Sequence, residues 1–210
     1  MPDNHLAETP IRITLTATPK VCEKFCLLTG NGFRIRARLG CSVRELLCGQ
    51  LGIEPAYLAG RIQTIFLNGQ VVDDPELAVV LPGSTIALSA AMPGIAGAML
   101  RKKSRYAPMR TELSHPSSGT RPGPGVEGDV VLKLFNLLQQ ELGLRFLSRG
   151  IRISGGALRG LLESRWDAFR AGILTAEVSG EPVATNALLD TDWTSQEVLL
   201  VVKPQAGGAD

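Results

Sequence analysis

ILTAEVSGEPVATNALLDTDWTSQEVLLVVKPQAGG, residues 173–208, is the stretch on which the reading of the whole chain turns. It predicts a strand, a tight turn at Ser179-Gly180, a short strand at Pro182-Val183, an irregular crossing, and a strongly apolar strand over Val198–Val202. A loose tail with Gly207-Gly208 follows. The same order occurs earlier, in IQTIFLNGQVVDDPELAVVLPGSTIALSAAMPG from Ile62. Its turn is Asn68-Gly69, a strong hairpin signal because both residues tolerate positive φ. Leu81-Pro82-Gly83-Ser84 then leads into a closing strand, Thr85–Ser89. Two stretches with one order of elements point to an internal duplication.

The remaining strands are read from alternation. In IRITLT, Ile11, Ile13 and Leu15 face one way and Arg12, Thr14 and Thr16 the other, the pattern of a half-buried strand that Pro19 ends. Val21–Leu28 fits either a short helix or an edge strand. After Gly30-Asn31-Gly32, Phe33, Ile35, Ala37 and Leu39 alternate with Arg34, Arg36 and Arg38, which places three arginines in one column on a strand's solvent face. Ser42 with Glu45 predicts a capping box opening a helix that Gly52 stops, and Glu54–Gly60 a loose turn. In the second half, Val130–Leu134 predicts a strand running into a short helix that Gly143 ends, although the stretch also fits helix throughout. Leu144–Ser154 predicts another strand, ending in Ile151-Arg152-Ile153, and Ala157–Trp166 a helix.

The fold class expected is α+β: two tandem β-grasp (ubiquitin-like) units, each a mixed sheet with one main helix and with its first and last strands central and adjacent. Residues 10–93 form the first, more divergent unit, 94–128 a basic and then Gly/Pro-rich linker, and 129–210 the second unit with the diglycine tail. Charge follows this division. Basic and acidic residues number eight and eight over 1–93, six and two over 94–128, and eight and ten over 129–210, so the connector is the one basic region. Five consecutive apolar residues at Val198–Val202 imply burial on both faces, and hence a cover over the second unit's open face from the first unit or another chain.

The second half resembles the small ubiquitin-like sulfur carriers of the molybdopterin synthase and thiamine-biosynthesis families. The resemblance rests on Lys133-Leu134-Phe135, Leu158–Leu162, Val178-Ser179-Gly180-Glu181-Pro182-Val183, Glu197-Val198-Leu199-Leu200 and Gly207-Gly208. The first half is similar at Ser42–Leu47, Leu67-Asn68-Gly69-Gln70-Val71-Val72 and Leu81-Pro82-Gly83-Ser84-Thr85-Ile86. It has Met92-Pro93-Gly94-Ile95-Ala96-Gly97 in place of the tail. The resemblance implies a carrier whose terminal glycine carboxylate, at Gly208, is adenylated and thiocarboxylated by a partner. The partners implied are an activating adenylyltransferase-type enzyme, which uses the ATP, and a sulfur-accepting synthase. Side-chain-free glycine lets such a tail thread into a partner's active site. Here Ala209-Asp210 follow the pair, so the reaction requires their removal. The rival expectation is a non-catalytic interaction module that kept the fold without the chemistry.

No acid–base pair, nucleophile–base pair or phosphate loop stands out, so no catalytic activity and no bound cofactor are expected of the chain itself. Cys22, Cys26, Cys41 and Cys48 are candidate zinc or iron–sulfur ligands by residue type. Their C-x3-C and C-x6-C spacings do not match the usual metal knuckles, and buried reduced thiols are the expectation. His5 and His115 pair with none of them. Arg34, Arg36 and Arg38 are a candidate docking column for an acidic partner, weighed against an ordinary solvated strand face. Arg101-Lys102-Lys103 with Arg105 and Arg110 lacks an aromatic platform, which argues against nucleic acid. No apolar run reaches the ~20 residues of a membrane span, and MPDNHLAETP lacks a secretory signal's pattern, so a cytoplasmic location is expected.

Overall fold

A computed structural model describes residues 9–90 and 126–205. The protein is a mixed α+β structure. Among the described residues, the strands are β1 (Ile11–Ala17), β2 (Phe33–Arg38), β3 (Thr64–Leu67), β4 (Gln70–Val71), β5 (Thr85–Ser89), β6 (Glu127–Phe135), β7 (Ile151–Ser154), β8 (Ile173–Val178), β9 (Glu181–Pro182) and β10 (Glu197–Pro204). The helices are α1 (Pro19–Phe25), α2 (Leu28–Asn31), α3 (Pro55–Gly60), α4 (Leu137–Arg149), α5 (Gly155–Arg170) and α6 (Ala187–Asp190), with a π-type turn at Glu45–Gln50.

Local sequence rules place most of these elements. Pro19 ends β1 and opens α1, because its ring fixes a helical φ and its missing N–H costs nothing in a first turn. The Val21–Leu28 segment is therefore helical, with Val21, Cys22 and Phe25 buried. Gly32, at φ 102°, turns the chain into β2. Asn68 and Gly69 (φ 52° and 83°) make the β3–β4 hairpin, and Ser179 and Gly180 (53° and 91°) make the β8–β9 hairpin. Ser42 Oγ accepts the Glu45 amide at 3.1 Å as the capping pattern requires. The helix it opens is wound wide, with the Leu51 amide donating five residues back to Leu46.

The chain divides into two compact units, one drawn from Met1–Phe33 and Leu142–Asp210, the other from Arg34–Glu141. This differs from the expected division into 10–93 and 129–210, and the strand pairing shows why. In the first unit the strand order is β7-β10-β1-β8-β9. Here β1 runs parallel to β10 (Ile11↔Val198 through Ala17↔Pro204) and antiparallel to β8. In the second unit the order is β4-β3-β5-β6-β2, and β5 runs parallel to β6 (Thr85↔Val131 through Ser89↔Phe135). Each unit centres on a parallel strand pair, but not on the pairs expected within 10–93 and within 129–210, which would have joined β1 to β5 and β6 to β10; relative to that expectation the opening strands are exchanged. The strand at the start of the chain pairs with the last closing strand, and the strand that opens the second half pairs with β5. The orders also differ internally: closing strand β10 neighbours β7, whereas in the other unit it is opening strand β6 that neighbours β2.

Burial follows the alternation within each unit. Ile13, Leu15 and Ala17 of β1 join Val198, Leu200 and Val202 of β10 in one core, all but fully buried. Val130, Leu132 and Leu134 of β6 lie with Ile86 and Leu88 in the other. Val201, on β10's opposite face, is also buried, while Leu199 is half-buried. Gly150, in the same unit, lies close to both: a Cβ added there would be 3.2 Å from Leu199 Cδ1 and 3.3 Å from Val201 Cγ2.

Two helix expectations are corrected. α4 runs through Gly143 to Arg149, so residues 144–149 are helix and only Ile151–Ser154 is strand. Gly143 does not stop the helix; a Cβ there would lie 2.9 Å from Cys26 Cβ, so the glycine lets α4 approach α1 closely. α5 begins at Gly155, not Ala157, because Ser154 caps it by accepting the Ala157 amide, and it extends to Arg170 with a kink at Arg165.

Candidate functional site

β10 is the element that would carry a reactive tail, and its placement follows from composition. EVLLVV has no residue that favours water after Glu197, so its faces favour burial, and its backbone edges are paired by β7 and β1. Arg152 on β7 reaches Glu197 at 3.7 Å at the strand's start. At the far end Lys203 and Pro204 are exposed, and Pro204 has no N–H to donate. The Gln205 amide still donates to the Ala17 carbonyl at 2.9 Å, so the main chain is held to the last described residue. Gly207 and Gly208 lie outside the described residues, as do His5, His115 and the Arg101–Arg110 cluster.

Arg34, Arg36 and Arg38 stand exposed along β2. Arg36 Nε lies 3.3 Å from Glu127 Oε2, with both side chains more than half exposed, a pair that solvent screens heavily. Arg38 is engaged through its backbone. Its amide donates to Gln50 Oε1 at 2.8 Å, and its carbonyl accepts from Gln50 Nε2 at 3.0 Å. Gln50 therefore supplies both halves of a backbone-like pair at the end of β2. The column's alignment follows directly from the strand's two-residue period.

All four cysteines are free. Cys22 on α1 and Cys26 at its C-terminal cap are buried; Cys26 Sγ donates to the Cys22 carbonyl at 3.4 Å and Cys22 Sγ to the Ala17 carbonyl at 3.6 Å. Burial pushes both thiols up, Cys26 to about 11. Cys41 donates to the Arg38 carbonyl at 3.2 Å, and burial raises it too, as it does Cys48. Among the described residues no three His, Cys, Asp or Glu side chains come together as a metal site requires.

One cluster escaped the sequence reading. Tyr57 donates its hydroxyl to the Glu141 carboxylate, and Arg61 Nε lies 3.0 Å from both Glu141 oxygens. These bonds join α3 to α4 across 84 and 80 residues of sequence. Hydrogen bonds from Arg61, then Tyr57, hold the Glu141 carboxyl below its usual range, while burial and then the carboxylate raise the Tyr57 hydroxyl. Tyr57 and Arg61 at i, i+4 show that one helix face carries both, but nothing in the sequence names the acid they meet.

No family model, curated protein or solved structure matches this chain. No helix among the described residues is long and apolar enough to cross a membrane.

Proposed function

We propose that the chain is a ubiquitin-like, sulfur-carrier-like protein built from two β-grasp-related halves, acting by docking and through its diglycine tail. The observation that carries this reading is the Gln205–Ala17 hydrogen bond at the end of the parallel β1–β10 pair. A tail that must enter a partner's active site needs a firm base, and here the base is the central strand pair of a sheet. Gly207-Gly208 follow that anchor after one residue, Ala206. Their carboxylate, once Ala209-Asp210 are removed, is the group an activating adenylyltransferase would adenylate with its own ATP. Sulfide-level sulfur supplied by a partner would then attack the acyl carbon and displace AMP, giving the thiocarboxylate that a synthase consumes.

Intact-mass and C-terminal peptide spectrometry of protein from its native cells tests the proposal. The expected result is a chain ending at Gly208, part of it heavier by one oxygen-to-sulfur exchange. An end at Asp210 in every preparation would overturn the carrier chemistry. The exposed column of Arg34, Arg36 and Arg38 favours the second reading in that case: an interaction module that binds an acidic partner without tail chemistry.

A further inference from the structure

In the unit formed by Arg34–Glu141, one face of the sheet brings aromatic rings and cations together. Strand pairing fixes its members. Phe66 on β3 lies opposite Ala87 on β5, and Ala87 opposite Lys133 on β6, so the three share a face. Thr85 and Phe135, each two residues further along its strand, join them. The alternate residues Ile86, Leu88, Leu132 and Leu134 are fully buried in the core, which leaves this set on the opposite side. The arginine column of β2 belongs there too. Arg36 pairs with Glu127, which stands on β6 in the same alternation as Lys133, while Gly128 between them in sequence faces the buried Leu39.

The grouping is accessible and positive. Phe135 is 39% exposed, Arg36 and Arg38 are exposed, and Phe66, Thr85 and Lys133 are half-buried. Among the described residues no carboxylate pairs with Lys133 or with the Arg38 guanidinium. Aromatic rings on a sheet give bases a surface to stack on, and flanking cations take the phosphates. Two strand spacings across and two residues along put the Cα atoms of Phe66 and Phe135 about 12 Å apart. That exceeds the ~3.4 Å rise of stacked neighbours, so the rings suit bases spread on a single strand and not a closed duplex. An acidic protein segment would use the cations and leave both rings without a role. Thr85 adds a hydroxyl that makes no hydrogen bond among the described residues, a partner for the ribose 2′-hydroxyl that separates RNA from DNA.

We propose that this face binds single-stranded RNA. The proposal is independent of the tail chemistry. Fluorescence anisotropy of the full chain with a labelled mixed-sequence RNA of about 12 nucleotides tests it, a length inside the ~4–16 that such sites span. Saturable binding that weakens with salt is expected, and weaker binding of the same sequence as DNA or as RNA duplex. Phe135→Ala should weaken RNA binding by about tenfold, and Phe135→Leu, which keeps the apolar bulk and removes only the ring, by a similar factor. Lys133→Gln/Arg38→Gln should lower the log–log salt slope by about 1.4, or ~0.7 for each cation lost. Absence of saturable binding would overturn the proposal. So would undiminished binding by all three variants with unchanged circular dichroism, which would place the RNA elsewhere on the chain. Loss with the charge variant alone would point to an acidic protein instead, and equal affinity for DNA would overturn the assignment to RNA.

Discussion

Ile13 lies beside Leu200 in the parallel ladder of β1 and β10, both fully buried, so the start and the end of the chain share one core. The exchange of opening strands makes each unit depend on residues from both sides of the 94–128 segment. A cut within that segment should therefore leave two pieces that co-elute in native gel filtration and separate in denaturant. Residues 129–210 alone should fail to fold, and adding residues 9–33 should restore structure by circular dichroism. A well-folded, cooperatively melting 129–210 fragment would contradict the exchange.

Gly155→Ala should be severely destabilising. A Cβ there would overlap the Trp193 carbonyl oxygen, which is backbone and cannot swing aside. The Gly155 amide also donates to Gln196 at 2.8 Å, and Trp193 is held by its indole N–H on the Leu188 carbonyl at 2.8 Å. Overpacking of this kind costs ~3 kcal/mol, read as a lower urea midpoint. Gly156→Ala next to it meets nothing within 4 Å and should be neutral or slightly stabilising.

The buried Cys26 thiol couples stability to alkaline pH. Burial raises its folded-state value from 9.0 to about 11, so the folded state resists losing that proton and the unfolded state does not. The stabilisation is complete below the unfolded value and is lost as pH rises through the folded one. Denaturation midpoints should fall between pH 9 and about 11, by up to ~2 kcal/mol in free energy. Cys26→Ala should flatten that part of the profile. Alkylation of the native protein should modify the half-buried Cys41 and Cys48 before Cys22 and Cys26.

Glu141→Gln should weaken acid resistance slightly. The depressed Glu141 carboxyl contributes above its unfolded value, and that contribution disappears as pH falls through the lower folded value. The variant should unfold at a higher pH than the parent during acid titration. Tyr57→Phe, which leaves the Arg61 bonds to Glu141 in place, should move the midpoint less. Added salt should shrink the difference, because the pair is partly exposed.

Much of the local structure was legible. Asn68-Gly69 and Ser179-Gly180 named their hairpins, Ser42 named its cap, and the alternation of Ile11–Thr16 and Phe33–Arg38 named the buried faces. α4 was less so: Gly143 reads as a helix stop by composition, and only Cys26 packed against it explains a glycine inside a helix. The Tyr57–Arg61–Glu141 cluster and the face shared by Phe66, Lys133 and Arg36 were not legible at all, since each joins segments whose meeting depends on how distant strands pair and carry their helices.

Which residues turn, which cap and which face a core were determined by the sequence alone, because φ preferences, missing N–H groups and apolar periodicity act over a few residues. Which closing strand each opening strand joins was decided only by the tertiary structure. Strand pairing uses backbone groups that every residue carries, and β1 and β6 offer nearly the same alternation of buried and half-buried positions. That pattern suits either β5 or β10, so the choice rests with the packing of each whole unit.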